Sequence, residues 1–400
     1  MKKYIFPALA IACMLSASAV FTACMNNDEE TIIIESPSTG IPDDSQATKN
    51  PSVVNPTTQV PNIQTTLDEI NGIPVIRIDM TGIKNAEGID WLRLFGTGQN
   101  GQNVWVEVDG KPKGILVYNN SDDINEKAIK TDVVFSVDNS TSMADEADAI
   151  ARDIVSWAQL LANSGLDVRF GVVGFGRNVR DEYSYLVKGY GVSGALDFTT
   201  HEELLSYLSR NIGVDRTVGY EGANKERLAD AASAYSESGG ECGVQAIRFA
   251  DENLSFRSGA NRIYVNFTDD ANYTGNNSKI SVEYMRSETT WPAYKGTIHS
   301  VISNSEANIN KRIRNVGGAE QPWLISEYTG GTTLFTSSSF KGVTLESLPV
   351  TGAMENSYII RFSNIDELLD GAAHKVHITV VSEDNTVKAD KTFSVVFPKR

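Results

Sequence analysis

The sequence predicts an α/β chain in which a doubly wound, mostly parallel sheet is inserted into, or flanked by, an all-β sandwich. Three observations carry this. In the middle of the chain, compact apolar runs that read as strands alternate with segments of helical period, the pattern of a sheet covered by helices on both faces. Toward both ends, short apolar runs bounded by Gly, Asn and Asp read as antiparallel strands. The chain has 400 residues, 41% of them hydrophobic, enough apolar material for more than one core and hence for two or three domains.

The N-terminal part is an address and a spacer. Met1, Lys2 and Lys3 give a basic start, residues 4–21 are apolar, and Thr22 and Ala23 precede Cys24. This is the plan of a secretory signal; an uncleaved span is the alternative, although the apolar run is marginal for crossing a bilayer. Phe21-Thr22-Ala23-Cys24 resembles the box of a bacterial lipoprotein signal, here residues 1–23, which implies lipidation of Cys24 and membrane attachment through the lipid alone. Asp28-Glu29-Glu30 is similar to the acidic export signal of some Gram-negative lipoproteins, which implies the outer membrane and the cell surface; it also reads as a plain solvated run. Residues 24–61 are rich in Asn, Asp, Ser and Thr and hold Pro37, Pro42, Pro51, Pro56 and Pro61 out of 12 prolines in all. They read as a disordered tether with a reach of roughly 35 Å.

The charge balance is acidic, 51 Asp+Glu against 35 Lys+Arg, and no basic run offsets it, so nucleic acid is not an expected partner. Of the three cysteines, Cys13 and Cys24 fall in the N-terminal apolar segment and Cys242 stands alone, which excludes an intramolecular disulfide scaffold for the body.

Residues 62–129 contain apolar stretches at 75–80, 91–95, 104–108 and 114–118, and residues 353–400 contain others at 358–362, 374–381 and 392–397. Four strands and three strands are each marginal as cores. Together they make one seven-stranded, immunoglobulin-like sandwich whose halves pair across the middle domain; two separate β modules are the alternative. The middle domain, residues 130–352, has buried-type runs at 133–137, 168–175, 263–267 and 297–302. Ala147, Ile150, Ala151, Ile154, Trp157, Ala158 and Leu161 recur at helical spacing, as do Ile247, Ala250 and Leu254. A doubly wound sheet places its ligand site at the carboxyl ends of its strands.

At those ends stand Asp138-Asn139-Ser140-Thr141-Ser142, opening the first helix, and Thr268-Asp269-Asp270. Hydroxyls and carboxylates offer only oxygen ligands, which suit a hard divalent cation such as Mg²⁺. The Asp-x-Ser-x-Ser motif, strand before and helix after, resembles the metal-ion-dependent adhesion site of von Willebrand factor type A domains, over about 220 residues that include Trp323-Leu324-Ile325-Ser326-Glu327-Tyr328-Thr329-Gly330-Gly331. The resemblance implies that Ser140 and Ser142 bind Mg²⁺ or Mn²⁺ directly and that Asp138 and Asp269 act mainly through water. Ser238-Gly239-Gly240-Glu241-Cys242-Gly243 resembles the variants, integrin β I-like domains among them, that use a glutamate, and implies Glu241 as a further ligand. Asp145 and Glu146 match the acids of an adjacent Ca²⁺ site there, and equally suit a helix first turn.

The function implied is capture of a protein partner through one of its carboxylates, with the sandwich as stalk. The alternatives are a structural, pilus-like assembly component in which the metal only stabilises the fold, and a metal-dependent hydrolase. No enzyme is expected: the glycines of 171–176 lie in a strand with no phosphate-cradling run after them, Cys242 has no histidine nearby in sequence, and His201, His299, His374 and His377 lack zinc spacing.

Overall fold

A computed structural model of the chain describes residues 39–85, 90–120, 129–163, 167–180, 187–208, 220, 222–235, 237–337 and 348–399. The expected signal, Cys24 and the acidic run after it lie outside them. Five strands come first: β1 (Ile63–Ile70), β2 (Ile73–Met80), β3 (Val104–Val108), β4 (Lys111–Pro112) and β5 (Ile115–Asn119). The middle follows with β6 (Lys130–Asp138), α1 (Ala144–Asn163), β7 (Asp167–Arg180), β8 (Val187–Thr199), α2 (His201–Leu208), β9 (Gly222–Ala223), α3 (Glu226–Ala234) and α4 (Gly243–Asn253). It continues through β10 (Asn261–Thr268), β11 (Asn272–Tyr273), α5 (Glu283–Arg286), β12 (Thr297–Ile302), α6 (Glu306–Asn315), β13 (Ala319–Glu320), α7 (Leu324–Thr329), β14 (Thr333–Phe335) and α8 (Pro349–Glu355). The chain closes with β15 (Tyr358–Phe362), β16 (Ala373–Val381) and β17 (Lys388–Val396).

The middle elements build a mixed sheet in the order β14-β12-β10-β6-β7-β8-β9. From β14 to β7 every pairing is parallel, and β8 runs antiparallel to β7. Side chains of β6 alternate between faces, yet both sets are buried: Val133, Phe135 and Val137 meet α1, α2 and α8, whereas Val134 joins α3 and α4. That is why β6 reads as an unbroken apolar run rather than an alternating one. Trp157 on α1 packs edge-on to Phe135 with ring centroids 5.5 Å apart and donates its indole N–H to Thr351 Oγ1 of α8 at 2.8 Å. From β6 the chain passes to β7 on one side and, after β8 and β9, returns to β10 on the other. The order therefore reverses between β6 and β10, the place where a doubly wound sheet puts a ligand site at the carboxyl ends of its strands.

The outer strands form two antiparallel sheets, β1-β2-β15-β5 and β17-β16-β3-β4. Ile76, Ile78, Ile360 and Val117 of one sheet share a single core with Val106, Val376, Ile378 and Phe393 of the other. β15 lies between β2 and β5, and β16 between β17 and β3, so strands from the C-terminal part hold together strands from the N-terminal part. The sandwich thus has eight described strands instead of seven. β1 is hard to read because Gln64, Thr65 and Thr66 dilute its apolar alternation. The stretch 91–95 is not a strand: Trp91 makes one bridge to Lys84, and side-chain amides take over the ladder beyond it. Leu94 and Phe95 donate their N–H to Asn119 Oδ1 (3.0 Å) and Asn103 Oδ1 (2.8 Å), and those amides donate back to the carbonyls of Leu94 and Arg93.

Residues 39–61, expected as part of a disordered tether, are instead a strap laid along the sandwich; residues 24–38 lie outside the description. Ile41 and Val60 are fully buried. Asn50 donates its N–H to Glu107 Oε1 (2.9 Å) and its side-chain amide to the His377 carbonyl (3.1 Å) and Thr379 Oγ1 (3.0 Å), and Thr57 N–H reaches the Lys388 carbonyl at 2.8 Å. Proline and asparagine favour extended chain as much as disorder; here the sandwich supplies the hydrogen-bond partners that composition cannot reveal.

Sandwich and mixed sheet interlock at Asn62. It donates its N–H to the Thr329 carbonyl (3.0 Å) and its amide to the Gly296 carbonyl (2.9 Å), and it accepts from Lys391 Nζ (2.9 Å). Ala293, from the segment before β12, is buried in the sandwich core. Burial pushes the Lys391 ammonium down to about 8.

Deleting residues 353–400 removes one of the two inner strands of one sandwich sheet and two strands of the other. Strands β1 to β5 should then become open to limited proteolysis, whereas they resist it in the whole chain. A second prediction concerns His374, whose ring nitrogens face Asp109 Oδ2 (2.7 Å) and Asp370 Oδ1 (3.1 Å); the hydrogen bond to Asp109 is the main cause that raises its pKa. A raised folded pKa stabilises at pH below the ordinary histidine value and loses that contribution as pH climbs through the raised one. Thermal midpoints compared between about pH 6 and 8 should fall more steeply for the native chain than for His374→Gln.

Candidate metal centre

The buried run of β6 ends in Asp138, which is fully buried. One carboxylate oxygen accepts the Ser140 N–H (2.9 Å), bending the chain out of the strand. A single 3-10 turn, Thr141–Met143, follows, anchored by the fully buried Met143. It brings the hydroxyls of Ser140 and Ser142 within 3.0 Å of each other before α1 begins. From the neighbouring β10, Thr268 Oγ1 donates to Asp138 Oδ2 (2.9 Å), and Ser142 Oγ donates to Asp269 Oδ1 (3.1 Å). The loop ahead of α4 supplies Glu241, whose carbonyl accepts the Tyr273 N–H at 2.8 Å. Gly239 and Gly240 let this loop press on Gly275 and on the Tyr273 ring.

Carboxylate oxygens of Asp138, Glu241 and Asp269 lie within 4.8 Å of one another. Gly176 of β7 makes room for them: it has φ +85°, and a Cβ there would stand 2.5 Å from Asp138 Oδ1 and 3.1 Å from Glu241 Cγ. All three carboxyls are pushed above the usual range, first by burial; the Asp269 charge adds to the shift of Asp138, and those of Asp138, Asp270 and Asp269 to that of Glu241. Two unit charges about 4 Å apart repel by about 4 kcal/mol at an effective dielectric of about 20.

Several other acids withdrawn from solvent have cationic partners. Asp132 pairs with Arg169 and Arg257, Asp251 with Arg262 and Lys295, and Asp79 with Arg77. Burial alone would raise Asp197, but Lys225 and Ser255 outweigh it and hold the carboxyl at about 2. Among the described residues, no such ion pair reaches Asp138, Glu241 or Asp269. The adjacent Asp270 is committed elsewhere, to Arg312, the Ala271 N–H (2.7 Å) and the Tyr273 hydroxyl (3.1 Å). Three carboxylates and two hydroxyls, in no ion pair among the described residues, are a donor set of hard oxygens, and the acidic cluster could hold a metal ion.

Ser140, Ser142, Asp138, Glu241 and Asp269, all expected from the sequence, are brought to this one place. Glu146 is buried and its charge is felt at Asp269, but it is outside the cluster; Asp145 lies on the first turn of α1, and its side chain is not among those described. Sequence reasoning missed the roles of Thr268 and Gly176. Gly176 stood in a glycine-rich strand, and only the register pairing Phe175 with Asp138 places it against the cluster. Cys242 is buried, its thiol pushed up to about 12 by that burial and donated to Asn272 Oδ1 (3.1 Å), so it is a packing residue. None of the four histidines belongs to the cluster.

No protein-family model and no curated protein matches the sequence. Among solved structures, the chain is similar to the conserved hypothetical protein BatB from Bacteroides thetaiotaomicron, at 14% identity and TM-score 0.31 over 56% of this chain and 96% of that one. It is similar to an aerotolerance-related membrane protein from Bacteroides fragilis at 12% and 0.28, over 52% and 92%. To the pilus adhesin SpaC from Lactobacillus rhamnosus GG it is similar at 10% and 0.34, over 87% of this chain and 50% of that one; it thus spans half the length of SpaC.

Asp269→Asn keeps an acceptor for Ser142 and removes one charge from the cluster. In chelator it should unfold at a temperature no lower than the native chain, and higher by about 2–4 °C if about 1 kcal/mol of repulsion is relieved. Divalent cations should raise the native midpoint and leave that of the variant nearly unchanged.

Proposed function

We propose that the chain is a cell-envelope lipoprotein whose middle domain, residues 130–352, is of the von Willebrand factor type A kind and binds a protein partner through a divalent cation. The observation that carries this is the cluster of Asp138, Glu241 and Asp269, unpaired among the described residues, beside the Ser140 and Ser142 hydroxyls at the point where the strand order reverses. Mg²⁺ or Mn²⁺, when bound, supplies a positive centre that attracts an anionic oxygen. Ser140, Ser142, Asp138, Glu241 and Asp269 hold it, and Thr268 and the Ser140 N–H keep Asp138 aimed. Asp145 and Glu146 are proposed for an adjacent Ca²⁺. The role assigned is binding without catalysis: no histidine or reactive thiol belongs to the described cluster.

Residues 62–129 and 353–400 are proposed as one immunoglobulin-like stalk. The strap and the Asn62 interlock support a rigid presentation of the site, whose distance from the membrane is set by residues beyond the strap. Cys24 is the proposed lipid attachment point, on the outer membrane and facing outward.

Arrays of peptides that differ only in Asp against Asn, or Glu against Gln, test the reading. The chain should retain acidic peptides in Mg²⁺ and release them in chelator, and Ser140→Ala should retain none. Cation-induced stabilisation with equal indifference to acidic and amide peptides would overturn partner capture and favour the assembly role.

A further inference from the structure

The three carboxylates are not equivalent. Asp138 and Asp269 are buried at strand ends on short side chains, held by the Ser140 N–H and Thr268 hydroxyl and by the Ser142 hydroxyl respectively. Glu241 comes from a loop, is one methylene longer and is only partly buried; its carboxylate meets the Ser140 hydroxyl. Its Cγ packs against Gly176 and its backbone is fixed by Tyr273, so any adjustment of its carboxylate is made by rotation within the longer side chain.

Charge counting makes that adjustment consequential. With three ionised carboxylates, a divalent cation leaves the cluster one negative charge in excess. Arg312 does not correct this, since its charge is matched by Asp270. A partner's carboxylate therefore approaches a site that still repels it until one resident carboxylate withdraws. Accepting the cation site proposed above, we infer that Glu241 is a resident competitor, which occupies the place of the partner's carboxylate and is displaced by it. The ligand class follows: a carboxylate on a protein surface, whose surrounding contacts offset the displacement, and not a small free organic acid.

Mn²⁺ and acetate test this on the whole chain. The readouts are Mn²⁺ affinity from paramagnetic relaxation of water protons and acetate binding from relaxation of the acetate methyl protons. Glu241→Gln should bind Mn²⁺ more weakly than the native chain, yet measurably, through Ser140, Ser142, Asp138 and Asp269. It should bring acetate to the Mn²⁺ at concentrations lower by about tenfold or more, the scale expected for removing one like charge. Glu241→Asp, which keeps the charge and shortens the reach, should show a smaller gain in the same direction. Measurable Mn²⁺ binding in Glu241→Gln with unchanged acetate binding overturns the inference alone. Loss of Mn²⁺ as complete as in Ser140→Ala also overturns it, making Glu241 an obligatory ligand. Failure of the native chain to bind Mn²⁺ overturns the cation site, and this inference with it.

Discussion

Mutual repulsion among three carboxylates within 4.8 Å is the constraint to which the middle of this molecule answers. Burial strengthens it, because water is kept from screening the charges. Asp132 and Asp197, also buried, are neutralised by arginine or lysine; here the neighbours are hydroxyls, a backbone N–H and a glycine. Such a set moderates the repulsion without cancelling it, leaving a cluster of hard oxygens that could hold a metal ion. Gly176 fits this logic: a residue with a Cβ would collide with Asp138, and its positive φ suits glycine for a second reason.

The rest of the fold maintains that geometry. Parallel pairing of β6 with β10 brings Asp138 beside Thr268 and Asp269, and the apolar faces packed by α1 and α4 leave the strands little freedom to slip. Asn304 ties the Asp269 carbonyl to the start of α6 at 2.8 Å, so the cluster is braced from a third element. Below it, the sandwich receives both ends of the mixed sheet and is itself knit from both ends of the chain. Asn62, Lys391 and Ala293 join the two parts through specific contacts.

The parts of this architecture that were legible in the sequence are those with a strong local signature. The strands at 133–137 and 263–267 and the helix through Trp157 are continuous in period and correctly placed, and the Asp-x-Ser-x-Ser motif locates the cluster. Glu241 was legible only through a family likeness, because a lone glutamate before a helix has no spacing of its own. β1 was hidden by its polar residues, and the stretch around Leu94 deceived because asparagine side chains replaced a strand partner. The strap was misjudged for a general reason: an extended, polar, proline-rich segment looks the same whether it floats or lies against a sheet. Gly176 shows the deepest limit, since its role exists only once strand register is known.

Diffraction from crystals of the chain soaked in Mn²⁺, collected for the anomalous signal of manganese, tests the central claim most directly. The account predicts one strong peak among Ser140, Ser142, Asp138, Glu241 and Asp269. A strong peak elsewhere with none at the cluster, or no peak at all at millimolar Mn²⁺, would contradict it.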